Sequence, residues 1–234
     1  MNLSILLAEL FGTAILIFLG NGAVANATLE KSGGRGNIGI MPISWGMAVM
    51  IPAFIFGATS GAHFNPAVTI AMCMKSGDWS NVPSYFIGQA LGALLGAILV
   101  YVLFQKHFEA TSDPATKLGC FATSPAIESK FHNFLSEFFE TFILVVALMG
   151  TGNIPGLNSD VSYIIVYSVI TGIIASTNGL TGAALNPVRD FCPRLIHCLF
   201  KVGPDSHWEY AWNPIFAPVL GAICAAAFYM NFPW

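Results

Sequence analysis

Two short stretches hold residues whose types and spacing could act on a passing molecule: Gly61-Ala62-His63-Phe64-Asn65-Pro66-Ala67-Val68 and Gly182-Ala183-Ala184-Leu185-Asn186-Pro187-Val188-Arg189. In each, small residues let the backbone run extended and close to a neighbour. Asn then takes the N-cap of a helix, with Pro at the first helical position. As a cap, the Asn amide oxygen accepts backbone N–H bonds and leaves the NH2 as a donor. Asp would offer acceptors alone and attract cations. If the two caps meet, they present two donors and two positive helix ends, which suits holding an oxygen and repelling cations. A water or hydroxyl that accepts from both amides is oriented by them, which breaks a continuous proton wire.

Four further residue types stand out. Arg189, three residues past Asn186, is costly in an apolar layer unless it faces a cavity, pairs, or snorkels from a helix end. Glu9 and Glu137 lie inside apolar runs, where a carboxylate can accept backbone N–H bonds from non-helical loops or enter a structural pairing. His63, two residues before Asn65, reads as a side chain bonding the loop backbone, or as a pH-sensitive group. Trp45 alone reads as an interfacial aromatic. No nucleophile–base pattern or His/Asp metal cluster accompanies them, so neither enzymatic chemistry nor a cofactor is expected. Cys73, Cys120, Cys192, Cys198 and Cys224 lack metal spacing and read as apolar filler.

The elements that must position these residues follow from composition. The chain is 55% hydrophobic and 9% charged, against about a quarter charged in soluble domains. It reads as an all-α, multi-pass membrane protein with no nucleic-acid motif. Apolar runs of about 20 residues, the length a bilayer demands, cover roughly 3–27, 39–58, 82–104, 131–151, 161–178 and 212–231. The first lacks a basic flank and is long enough to remain as a span. Two shorter pieces, about 66–75 and 187–200, follow the Asn-Pro pairs and are too short to cross. Small residues at four-residue spacing (Gly88, Gly92, Gly96; Gly221, Ala225) mark helix contact faces. Pro218 predicts a kink in the last span. His107, His132, His197 and His207 fall near span ends and read as solvated.

The halves repeat. Ala8-Glu9-Leu10-Phe11-Gly12-Thr13 aligns with Ser136-Glu137-Phe138-Phe139-Glu140-Thr141, and Asn65-Pro66-Ala67 with Asn186-Pro187-Val188. Three spans per half invert the second relative to the first, so the short helices enter from opposite faces and meet near the midplane. The organisation is a single channel domain over 1–234, with halves at about 1–104 and 131–234 joined by a polar loop, 105–130.

With two Asn-Pro motifs in a duplicated apolar chain and an early Glu in each half, the sequence resembles the major intrinsic protein family, the aquaporins and glycerol facilitators, over essentially its whole length. Val188 replaces the usual Ala of the second motif. The resemblance implies six spans plus two re-entrant half-helices, a homotetramer, and a passive channel in the cell membrane. It further implies that Trp45, Ile174, Ala183 and Arg189 form the narrowest ring. Water-selective members usually carry His at the Ile174 position. Here Trp45 and Ile174 would make an apolar wall opposite the Arg189 donors, suited to a solute with a carbon edge and a hydroxyl edge. Asp190, Arg194, Pro214 and Ile215 resemble the glycerol branch; Asp190 and Arg194 are i, i+4 neighbours able to pair. The ring departs from the Trp, Gly, Phe, Arg of glycerol facilitators and is similar to that of plant nodulin-like channels, associated with glycerol, water and neutral acids such as lactic acid. Expected permeants are therefore glycerol and water, with lactic acid as the alternative, and a coupled secondary transporter as a distant one. The family places both termini in the cytoplasm. That leaves Lys31, Arg35, Lys106, Lys117, Lys130, Arg189, Arg194 and Lys201 outside and Lys75 alone inside, the reverse of the usual basic bias.

Overall fold

The computed structural model describes residues 1–151, 154 and 159–233. Its long helices are α1 (Leu3–Thr28), α2 (Met41–Ser60), α4 (Val82–Ala110), α6 (Lys130–Gly150), α7 (Ser159–Thr181) and α9 (Asn213–Asn231). Among the described residues, six helical segments are long and apolar enough to cross a membrane. Two short helices, α3 (Pro66–Ser76) and α8 (Pro187–Leu199), start at the Asn-Pro pairs. At about 1.5 Å per residue, neither can traverse a hydrocarbon core of about 30 Å.

Helices α1 and α6 hold corresponding places. The first packs on α2 and α4, the second on α7 and α9. Each short helix crosses to the other half: α3 lies against α9, and α8 against α4. The glycine stripe explains how closely α1 and α4 approach. A Cβ at Gly88, Gly92 or Gly96 would run into the backbone oxygen of Leu6, Leu10 or Ala14 respectively, one α1 turn per glycine. Gly221 of α9 meets the Phe138 oxygen of α6 in the same way. Without a hydrophobic drive between helices in lipid, such close backbone contact is the main source of association. These glycines face inward within one protomer, while Leu91, Leu95 and Leu99 of α4 point outward and are exposed.

Two sequence expectations change. The stretch 105–130 is not simply a polar loop: it contains the end of α4 and α5 (Pro114–Gly119). Asp113 caps α5 by accepting from the Ala115 and Thr116 amides, and hydrogen bonds from Thr116 hold its carboxyl below the ordinary value. An Asp-Pro start is a helix signal, but six residues lie below the reach of a hydropathy window. Pro218 lies inside α9, which continues past it to Asn231. His197 is fully buried rather than solvated, with Nδ1 2.8 Å from Ser206 Oγ, because the end of α8 is covered by the 200–206 turn.

Gly92→Leu should destabilise the purified protein by on the order of 2 kcal/mol or more through overpacking. Gly172→Ala, at a glycine with open space around it, should be close to neutral. Thermal melting in detergent separates the two.

Candidate functional site

The two loops before α3 and α8 are not extended throughout; they become so at Asn65 and Asn186. Gly61, Ala62 and Phe64 take φ of 81°, 55° and 49°; Gly182, Ala183 and Leu185 take 95°, 47° and 56°. Left-handed Ala, Phe and Leu are strained and persist only where surroundings impose them. Two buried carboxylates do so. Glu9 accepts from His63 N (3.1 Å), Phe64 N (2.7 Å), Ser60 Oγ (2.6 Å) and Gln89 Nε2 (2.8 Å). Glu137 accepts from Ala184 N (3.0 Å), Leu185 N (3.0 Å) and Thr181 Oγ1 (2.8 Å). With these N–H groups turned to the carboxylates, the carbonyls of Ala62, His63, Ala183 and Ala184 have no hydrogen-bond partner among the described residues, and all four residues line one cavity.

The caps meet. Asn65 Oδ1 accepts from Ala67 N, and Asn186 Oδ1 from Val188 N and Arg189 N. The amide nitrogens cross over: Asn65 Nδ2 donates to the Leu185 carbonyl and Asn186 Nδ2 to the Phe64 carbonyl, each at 2.8 Å. The expected free NH2 groups are therefore half engaged, because the loops approach closely enough for each amide to take a carbonyl of the other. One N–H of each remains, and both Asn residues line the cavity. Pro66 and Pro187 start their helices. Ala67 is fully buried, and Val188 packs at the edge of the core.

That cavity, about 710 Å³, runs from Lys75 and Asp78 past both Asn residues to Trp45, Ile174, Ala183 and Arg189. A second, about 570 Å³, opens between α5 and the segment bearing Asp205 and His207. Trp45 and Arg189 belong to both walls. Trp45 is 7% exposed, which removes the interfacial reading. It fits because Gly20 of α1 leaves room for its ring. The Arg189 guanidinium carbon lies 4.1 Å from the centre of that ring, a cation–π contact. Of its five side-chain donors, Arg189 engages one among the described residues, Nη1 to the Phe121 carbonyl at 3.5 Å.

Arg194 is the opposite case. All five of its donors are matched: Nε and Nη2 to Asp190 (2.8 and 3.0 Å), Nη1 to the Ser206 and His207 carbonyls (2.7 and 2.9 Å), and Nη2 to the Thr123 carbonyl (2.8 Å). Pro214 and Ile215 open α9 and are absent from both cavity walls. His63 lines the first cavity, stacks on Tyr85 at 4.3 Å, and bonds the Thr69 hydroxyl rather than loop backbone.

Several residues escaped the sequence reading. Gln89 supports Glu9; its polarity inside an apolar helix was the available signal. Glu140, buried in α6 and accepting from Ser136 Oγ, carried the same signal. Phe121 gave none, since its backbone carbonyl acts, and Thr123 did not stand out as one hydroxyl residue among several in a polar connector, although both its backbone and its hydroxyl act.

The fold and site find close counterparts. The family model described as "Major intrinsic protein" matches residues 1–229. The chain belongs to the major intrinsic protein family. The relatives of this major intrinsic protein include a "Probable glycerol uptake facilitator protein" of Thermotoga maritima, 41% identical over 97% of this chain and 98% of that one. The "Glycerol uptake facilitator protein" of Streptococcus pneumoniae is 40% identical over the same shares. The solved aquaglyceroporin of Plasmodium falciparum superposes with a TM-score of 0.88 at 31% identity, covering 98% of this chain and 96% of that one. As a major intrinsic protein this chain is a multi-pass membrane channel and not an enzyme.

Glu137→Ala strands two loop amides and a hydroxyl in a buried site, so a loss of roughly 3 kcal/mol or more is expected. Glu137→Gln keeps one acceptor oxygen and should lose less. Melting temperature in detergent reads the order.

Proposed function

We propose that the chain is a passive channel for small uncharged polyols, glycerol foremost, with water as co-permeant, that excludes protons and ions. The observation that carries this reading is the asymmetry of the wall shared by the two cavities. The Arg189 guanidinium stacks on the Trp45 ring and keeps side-chain N–H donors unmatched among the described residues, beside the carbon surface of Trp45 and, in the first cavity, of Ile174 and Ala183. A polyol has a hydroxyl edge and a carbon edge to match. We assign Trp45, Ile174, Ala183 and Arg189 as the selectivity ring.

Asn65 and Asn186 would each give their remaining N–H to a passing hydroxyl, while the carbonyls of residues 62–63 and 183–184 accept the hydroxyl protons. The positive ends of α3 and α8 and the Arg189 charge oppose cations. Glu9 and Glu137 act as loop supports. The names of the relatives, glycerol uptake facilitators over nearly the whole chain, support the same solute. By the same likeness we propose one channel domain made of halves 1–104 and 131–234, a homotetramer with one pore per protomer, the cell membrane as location, and cytoplasmic termini. The reversed basic bias makes tag accessibility on intact cells the test of that orientation; an external N-terminus would overturn it.

Proteoliposomes in stopped-flow swelling should pass glycerol and water without saturation. Flux of lactic acid at low pH with no glycerol flux would favour the acid over the polyol. Arg189→Val should keep the fold and loosen selectivity, so that solutes wider than glycerol and cations gain permeability. An unchanged solute ranking would remove Arg189 from the ring.

A further inference from the structure

We infer that Thr123, in the connector between α5 and α6, is a positioning residue for permeation that fixes the Arg189 guanidinium through the Phe121 carbonyl. The inference rests on the channel reading above. Among the described residues Arg189 has one hydrogen-bond acceptor, a carbonyl of the connector rather than of a membrane helix. The Phe121 carbonyl also accepts from Asn21 Nδ2 of α1 at 3.4 Å, so both contacts to this carbonyl are long and its position rests on how the loop is held. The firm anchor lies two residues on. Thr123 gives both its backbone N–H and its hydroxyl to Asp190 Oδ2, each at 2.7 Å, and its carbonyl accepts from Arg194 Nη2 at 2.8 Å.

All the partners of this clamp are buried and the Arg194 guanidinium is fully matched, so disturbing it leaves buried polar groups unpaired. It also touches the ring from two sides. Asp190 directly follows Arg189, and Thr123 lies against Gly182, where a Cβ would come 3.0 Å from the Thr123 Cβ. Gly182 directly precedes Ala183. Thr123 therefore sets the spacing between the loop that carries Ala183, the helix that carries Arg189, and the carbonyl that receives the guanidinium. Asp190 meanwhile directs its hydrogen bonds to Arg194 and Thr123 rather than to Arg189.

Thr123→Val keeps the shape against Gly182 and removes the hydroxyl bond. The connector then loosens, Phe121 retreats, and the guanidinium is free to swing across the aperture, which obstructs a polyol more than water. In proteoliposomes the glycerol-to-water permeability ratio should fall about threefold or more, a fraction of one charge-assisted hydrogen bond. Thr123→Ser should restore the ratio, and Thr123→Ala should repeat the loss. An experimental structure of Thr123→Val should show Arg189 Nη1 displaced from the Phe121 carbonyl. An unchanged ratio, or glycerol and water permeability falling in parallel with the melting temperature, would overturn the inference, as would an unmoved guanidinium. A wild-type channel that passes water and no glycerol would overturn the polyol reading instead, and the guanidinium position would still decide the role of Thr123.

Discussion

Non-helical backbone has no place in a hydrocarbon layer unless its amides find acceptors inside the protein, and in this chain that requirement falls on two carboxylates. Glu9 and Glu137 each gather the amides of a loop that takes left-handed conformations at residues other than glycine. Everything along the cavity is downstream of that capture. Once the N–H groups turn to the carboxylates, the carbonyls face the opposite way, the Asn caps are presented at the loop ends, and the short helices start where they do. The carboxylates can stand there because α1 and α6 are clasped by glycine-lined partners, which keeps lipid and solvent from both acids.

The two halves solve the same problem with different parts. Glu9 has four donors, the fourth being Gln89 of α4; Glu137 has three. Gly12 in the first half leaves room for the Phe64 ring, while its repeat counterpart is Glu140 and the residue preceding the second Asn is the smaller Leu185. Side-chain volume has moved from the loop to the helix between the repeats. Related asymmetry is concentrated at the second loop. There α8 carries Arg189, Asp190 and Arg194, and the connector closes over them, whereas α3 carries Thr69 and Cys73 facing Gln89 and the cavity.

Much of the architecture was legible because it is written in contrast. A Glu, an Asn-Pro or an Arg inside an apolar run has few permissible settings, so the membrane class, the spans and the family could be read from Glu9, Asn65, Glu137, Asn186 and Arg189. What escaped depends on backbone atoms and on distances between separate segments. Ala62 and Leu185 favour right-handed or extended conformations in isolation, and nothing in their identity announces φ near 50°. The crossing of the Asn amides depends on how closely two loops approach. The burial of Trp45 depends on the absence of a side chain at Gly20, and the tether of Arg189 on a carbonyl that any residue at position 121 would supply.

The crossed bonds from Asn65 to Leu185 and from Asn186 to Phe64 also limit what the molecule can do over time. They form a seam between the two halves, closed by two 2.8 Å bonds at the cavity wall. A carrier that alternates its access must open such a seam on each cycle, and here every opening would break two direct amide–carbonyl bonds between the halves. The halves are thus riveted as well as packed. Traffic through such a body proceeds past a static lining at a pace set by the cargo's own diffusion, with no rocking step to couple it to an ion gradient.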